Sequence, residues 1–126
     1  MSIRTRAKSI EFNGITLDEW FEALVINVLS YDVYMRYSDE ECAWLVLNYW
    51  KNSKPRKWGW SWGSWLSSVV FEGNDFYETL SYKEKKELDR LLLEYVEELA
   101  ERVDEEDERK MAKLERELKR LLGYLD

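Results

Sequence analysis

Between Lys51 and Trp60 the chain reads KNSKPRKWGW, and this is where residue types and spacing offer chemistry. Lys51, Lys54, Arg56 and Lys57 supply four cations, and Trp58, Trp60 and Trp62 follow at alternate positions. Cations can track a phosphate backbone while indole faces stack on unpaired bases, at about 1–3 kcal/mol per base. Arg4, Arg6 and Lys8 could extend such a surface. The competing reading puts the tryptophans in the core beneath a basic loop. Trp62 and Trp65 share a helix-spaced face with Val69 and belong there, which leaves Trp58 and Trp60 as the rings to expect outside. A third reading takes the same segment as a membrane-interface anchor, because cations followed by a charge-free, Trp-rich run suit a headgroup boundary. Gly63 and the serines at 61, 64, 67 and 68 make that run weakly hydrophobic, so membrane binding ranks last.

Other chemistry is excluded by what is missing. The 126 residues contain no histidine, so neither a Ser-His-Asp nor a Cys-His pair can be built, nor an imidazole zinc site. No glycine-rich phosphate loop occurs. The acidic run Asp104–Glu108 lacks the glycine and alternate spacing of a calcium loop. The lone Cys42 lies on an apolar helix face and reads as a buried thiol. A non-catalytic protein is expected, with no cofactor and no small-molecule substrate.

The net charge is −7, against a general duplex-DNA coat, but it is unevenly placed. Residues 1–57 balance eight cations with eight anions; residues 58–126 carry eleven cations and eighteen anions. Within the latter, residues 94–108 hold nine anions and one cation, and residues 109–120 hold six cations and two anions. An antiparallel second copy would lay one block over the other. The acidic face could also rival phosphates for the basic cleft of a nucleic-acid enzyme, as an inhibitor from a mobile genetic element would. No early stretch resembles a signal peptide and no window approaches the ~20 apolar residues of a membrane span, so a cytoplasmic protein is expected. Absent His and Gln beside abundant Glu, Lys and Arg is a thermophile-like composition.

The elements that must position these residues are helical. Three Ser/Thr-x-x-Glu capping boxes, at Thr16–Glu19, Ser38–Glu41 and Ser81–Glu84, each precede an apolar face of helical period. Residues 1–15 alternate Ile3, Thr5 and Ala7 with Arg4, Arg6 and Lys8, and Asn13-Gly14 is a turn signal, which suggests a short strand or extended basic arm. Tyr31–Tyr37 reads either as a helix extension or as an extended link. Pro55 marks a break, followed by a helix from about Ser61 to Phe71. One all-α domain over 1–126 is expected, a compact bundle of four to five helices. It comprises the arm over 1–15, a Trp-rich helical core over 16–80, and one long helix or a helical hairpin over 81–125.

Leu88, Leu91, Leu92, Tyr95, Val96, Leu99 and Val103 form one stripe of that last region; Met111, Leu114, Leu118, Leu121, Leu122 and Leu125 form another. The stripes stand about 80° apart on a straight helix. A hairpin would remove that offset. Glu98–Arg102, Glu105–Arg109 and Glu106–Lys110 are four-residue pairs in the stabilising orientation and favour one long, bent helix. Leu92, Tyr95, Leu99, Val103, Met111, Leu114, Leu118 and Leu121 are then the candidates for self-association as a homodimer or for a protein partner. A small interaction protein acting through this region is the first expectation, and single-stranded nucleic-acid binding through the basic, Trp-rich loop is the alternative.

Overall fold

A computed structural model describes residues 2–123, and the described chain is mostly helical. Leu125, the last residue of the second stripe, lies outside the described residues. The chain begins with a one-turn helix, α1 (Ile3–Arg6), and a 3₁₀ turn (Ala7–Ser9). Over residues 3–9 this replaces the strand or arm expected for residues 1–15, while a short strand does form later in that range, at Glu11–Phe12. Ile3 and Ala7 are buried while Thr5 between them is exposed; a strand would turn all three to one side, whereas a helical turn brings only Ile3 and Ala7 inward. Their cationic neighbours Arg4, Arg6 and Lys8 are exposed. Asn13 and Gly14, with φ of 57° and 78°, close a two-residue turn between β1 (Glu11–Phe12) and β2 (Ile15–Thr16).

All three capping boxes are present. They start α2 (Leu17–Val28), α4 (Asp39–Lys51) and α8 (Tyr82–Ala100). At Ser38 the two reciprocal bonds measure 3.0 and 3.2 Å, and at Ser81 they measure 2.9 and 3.1 Å. Between α2 and α4, Ser30 accepts from the Val33 N–H and begins a separate short helix, α3 (Tyr31–Arg36).

Helix α4 ends at Lys51, at the break expected over Asn52–Pro55, but helical structure resumes at once and Pro55 is part of it. It lies in the first turn of α5 (Lys54–Lys57), where a missing N–H costs nothing, and Ser53 caps that turn. The helix expected from Ser61 is α6 (Trp62–Trp65), which widens into a π-helical stretch over Leu66–Val70. A short α7 (Asp75–Glu78) leads into α8.

The single long helix favoured by the charge pairs does not form. Helix α8 stops at Ala100, and α9 (Glu108–Leu122) starts after an irregular turn. Asp107 caps α9 by accepting from the Lys110 N–H at 3.2 Å, and Asp104 accepts from the Glu106 N–H at 3.0 Å. Aspartate competes for local backbone donors, which weakens a helix interior and favours a cap. The break also removes the angular offset between the two stripes, so that α8 and α9 both pack against α4. Glu98, expected to pair with Arg102, instead accepts from the Arg4 N–H at 3.2 Å.

Helix α8 lies at the centre and touches α1, α2, α4 and α6. The core around it is aromatic: Trp20 meets Phe71 and Tyr77 edge-on, and Phe71 stacks on Tyr77 at 5.0 Å. Cys42 is buried there, and burial pushes its thiol up to about 12.

Candidate functional site

The basic, Trp-rich segment forms a compact projection beyond the end of α4. Trp58 donates its backbone N–H to the Lys54 carbonyl at 2.9 Å, and Trp60 reaches back to the Pro55 carbonyl at 3.0 Å. The return between them runs through Gly59 at φ 92°, a conformation a side chain would strain. The loop is thereby held to its own one-turn helix.

Its tryptophans divide into two groups. Trp62 and Trp65 are buried with Trp50; Trp50 and Trp65 stack at 4.8 Å, and Trp50 meets Trp62 edge-on at 6.0 Å. The Trp62 Nε1–H donates to the Asp89 carbonyl at 2.9 Å, which ties this indole base to α8. Trp58 and Trp60 stand on top, 67% and 37% exposed, with ring centroids 6.5 Å apart. Lys54, Arg56 and Lys57, on the helical turn just before them, are exposed as well. Lys54 and Lys57 also line a hollow of about 380 Å³ floored by Tyr49, Pro55, Trp65 and Val69.

The remaining candidates are distributed differently. Lys51 lines a separate hollow with Glu97, Glu101 and Glu105, so its charge faces the acidic end of α8. Arg4, Arg6 and Lys8 belong to the segment that packs on α8 through α1, on the side of Glu98. Leu92, Tyr95, Leu99, Val103 and Leu114 are buried within the chain's own core. Met111, Leu118 and Leu121 are partly buried against that core. The apolar stripe offered for self-association is therefore occupied mainly by intramolecular packing.

A second polar cleft was not singled out from the sequence. It measures about 540 Å³ and opens between the start of α6, α7 and the first turns of α8. Tyr82, Lys85, Lys86 and Asp89 line its α8 side; Ser61, Gly63, Ser64 and Ser67 line the other. The spacing of 82, 85, 86 and 89 is one helix face, and a carboxylate on it next to Leu88 and Leu92 was the available signal. Asp89 accepts from the Tyr77 hydroxyl, and burial raises its carboxyl to about 6 although Tyr77 and Lys85 pull the other way. The same burial, with Asp89 close by, drives the Tyr77 phenol well above its ordinary range. Gly63 brings α6 close to α8 here: a Cβ would stand 3.1 Å from Asp89 Oδ2, and the carboxylate would have to give by a few tenths of an ångström.

Among the described residues no three of Asp, Glu and Cys gather as a metal-ligand set, and no helix is long and apolar enough to cross a membrane. Comparison with protein-family models, curated proteins and solved structures found no match.

Proposed function

We propose that this protein binds single-stranded nucleic acid, with Trp58 and Trp60 as base-stacking faces and Lys54, Arg56 and Lys57 as phosphate contacts. The observation that carries the reading is the pair of exposed indoles held beside three exposed cations on a loop fixed by its own backbone bonds. No carboxylate occurs from Lys51 to Phe71, so nothing within the segment competes for those cations. A duplex hides its base faces, whereas a single strand presents them, which selects the unpaired form.

The net charge of −7 opposes any polyanion, and distance decides how strongly. Fields reach roughly 30 Å at 0.01 M salt and about 8 Å at physiological ionic strength. At working salt the loop's own cations dominate what a strand on it feels. Three phosphate contacts give a logarithmic salt slope of about −2 for a single strand. Repulsion from the acidic end of α8 makes the slope shallower at the lowest salt.

The test is a tryptophan-fluorescence titration with single-stranded DNA and RNA across salt concentrations. Quenching that weakens with salt, and disappears in Trp58→Ala/Trp60→Ala, is expected. Wild-type protein that shows no quenching at low salt would sink the proposal.

A second reading, association with a protein partner or a second copy, is favoured by Tyr31 and Met35, exposed one turn apart on α3, and by the opposite charge of the α8 end and α9. In that role the protein acts in the cytoplasm as an accessory or inhibitor of a nucleic-acid machine. Sedimentation equilibrium across a hundredfold range of protein concentration tests the second copy; a constant monomer mass removes it.

A further inference from the structure

We propose that the bound strand does not end at Trp60 but continues over the Ser61–Ser64 ridge into the cleft of α8, where Tyr82 and Lys86 form a second stacking-and-phosphate unit. The inference rests on the nucleic-acid reading above and extends its path.

Two neighbouring hollows that share Ser61 and Ser64 mark the path. A hollow of about 490 Å³ is lined by Gly59, Trp60, Ser61, Ser64 and Ser68. The 540 Å³ cleft begins at the same Ser61 and Ser64. A strand leaving the Trp60 ring would cross these two serines to enter the cleft. Both hollows fall within the ~300–1,000 Å³ range of sites for small ligands, ample for nucleotide units.

Tyr82 is 74% exposed, the most exposed of the chain's large hydrophobic side chains among the described residues. The Lys86 ammonium lies 5.0 Å from its ring centroid. This repeats the arrangement of the Trp58 loop: an aromatic face offered to solvent beside a cation. Lys86 is held by the ring rather than by a carboxylate, which leaves its charge available for a phosphate. Lys85 is already engaged, 3.7 Å from Glu78 and over the Tyr77 ring. Asp89 is the opposing element: it lines the same cleft with its carboxylate held by Tyr77, and it repels a passing phosphate.

That opposition makes the test directional. The full-length chain is titrated with a four-nucleotide and a fifteen-nucleotide oligothymidylate. The short oligomer is covered by the Trp58 loop alone; the long one reaches the cleft. Tyr82→Ala and Lys86→Ala are expected to leave affinity for the short oligomer within twofold and to lower affinity for the long one about five- to tenfold each. Asp89→Asn is expected to raise affinity for the long oligomer only. Thermal midpoints within a few degrees of wild type for Tyr82→Ala and Lys86→Ala verify that the fold is intact, since both side chains are exposed. Wild-type affinity of these variants for the long oligomer, with Trp58→Ala still weakening it, overturns the extended path and leaves the loop site standing. Binding of neither oligomer by the wild-type chain overturns both.

Discussion

The Tyr77 hydroxyl lies 3.0 Å from one carboxylate oxygen of Asp89 and 3.2 Å from the other, so a buried phenol steadies a half-buried acid at the base of the α8 cleft. Burial raises that acid to about 6, above its ordinary value of 3.8. Between roughly pH 4 and pH 6 the folded chain then holds more of this proton than the unfolded chain, and stability falls as pH rises. Above about pH 6 the loss is complete. Asp89→Asn keeps an acceptor for Tyr77 and removes the charge. It should stabilise the protein at pH 7.5 by ~1–2 kcal/mol more than at pH 4, a figure kept modest because the side chain still meets water. Urea melts of both proteins at the two pH values measure it; an equal difference at both contradicts it.

Glu117 shows the reverse sign. It is buried and accepts from Arg36 at 2.9 Å, from Arg120, and from the Tyr37 hydroxyl at 3.2 Å, joining α9 to the end of α3. Burial raises its carboxyl, but the bonds from Arg120 and Arg36 outweigh burial and hold it below the usual range. Its contribution is present at neutral pH and lost as pH falls through that lowered value. Glu117→Gln should cost about 2 kcal/mol at pH 7, since Arg36 and Arg120 are half-exposed and return to water. The deficit should shrink as pH falls below the usual carboxylate range. Chemical denaturation at pH 7 and pH 3 checks the trend, and a deficit that persists undiminished in acid rules it out.

Gly63 tests how closely α6 approaches α8. Glycine within a helix costs about 1 kcal/mol relative to alanine, so Gly63→Ala would stabilise an unconstrained helix. Here the added Cβ meets Asp89 Oδ2 at 3.1 Å, and Tyr77 holds that oxygen in place. The expected outcome is net destabilisation, relieved when Asp89→Ala is combined with it. A double-mutant cycle measures the coupling, which should exceed about 0.5 kcal/mol for groups in contact. Additive effects would show that the carboxylate moves aside freely.

Much of this architecture was legible because local signals and burial agreed. Thr16, Ser38 and Ser81 cap the helices they announce, and Asn13-Gly14 turns the hairpin. The division of tryptophans followed from the spacing of Trp62, Trp65 and Val69, although Val69 itself is exposed. What failed were competitions between short signals. Ile3 and Ala7 are compatible with period two and with period four, and the decision was made by packing on α8. The pairs over residues 98–110 are worth only ~0.2–0.5 kcal/mol each in a helix, less than the burial gained when two offset stripes both reach α4. The cleft stayed hidden because its walls come from residues 61–67 and 77–89, and nothing local in the sequence brings them together.

Leu92 and Leu114 are fully buried inside the chain, one on α8 and one on α9. Truncating either to alanine removes intramolecular packing, at about 2–5 kcal/mol each. If the stripe instead held two copies together, dilution would lower the melting temperature, because the folded state would depend on protein concentration. The expected result is a lowered midpoint for Leu92→Ala and Leu114→Ala that does not move over a hundredfold dilution, in the variants or in the wild type. Leu118, only partly buried at the edge of the core, should cost less when truncated. A concentration-dependent midpoint would return the stripe to the role its spacing first suggested, and would require α9 to leave α4 in the assembled form.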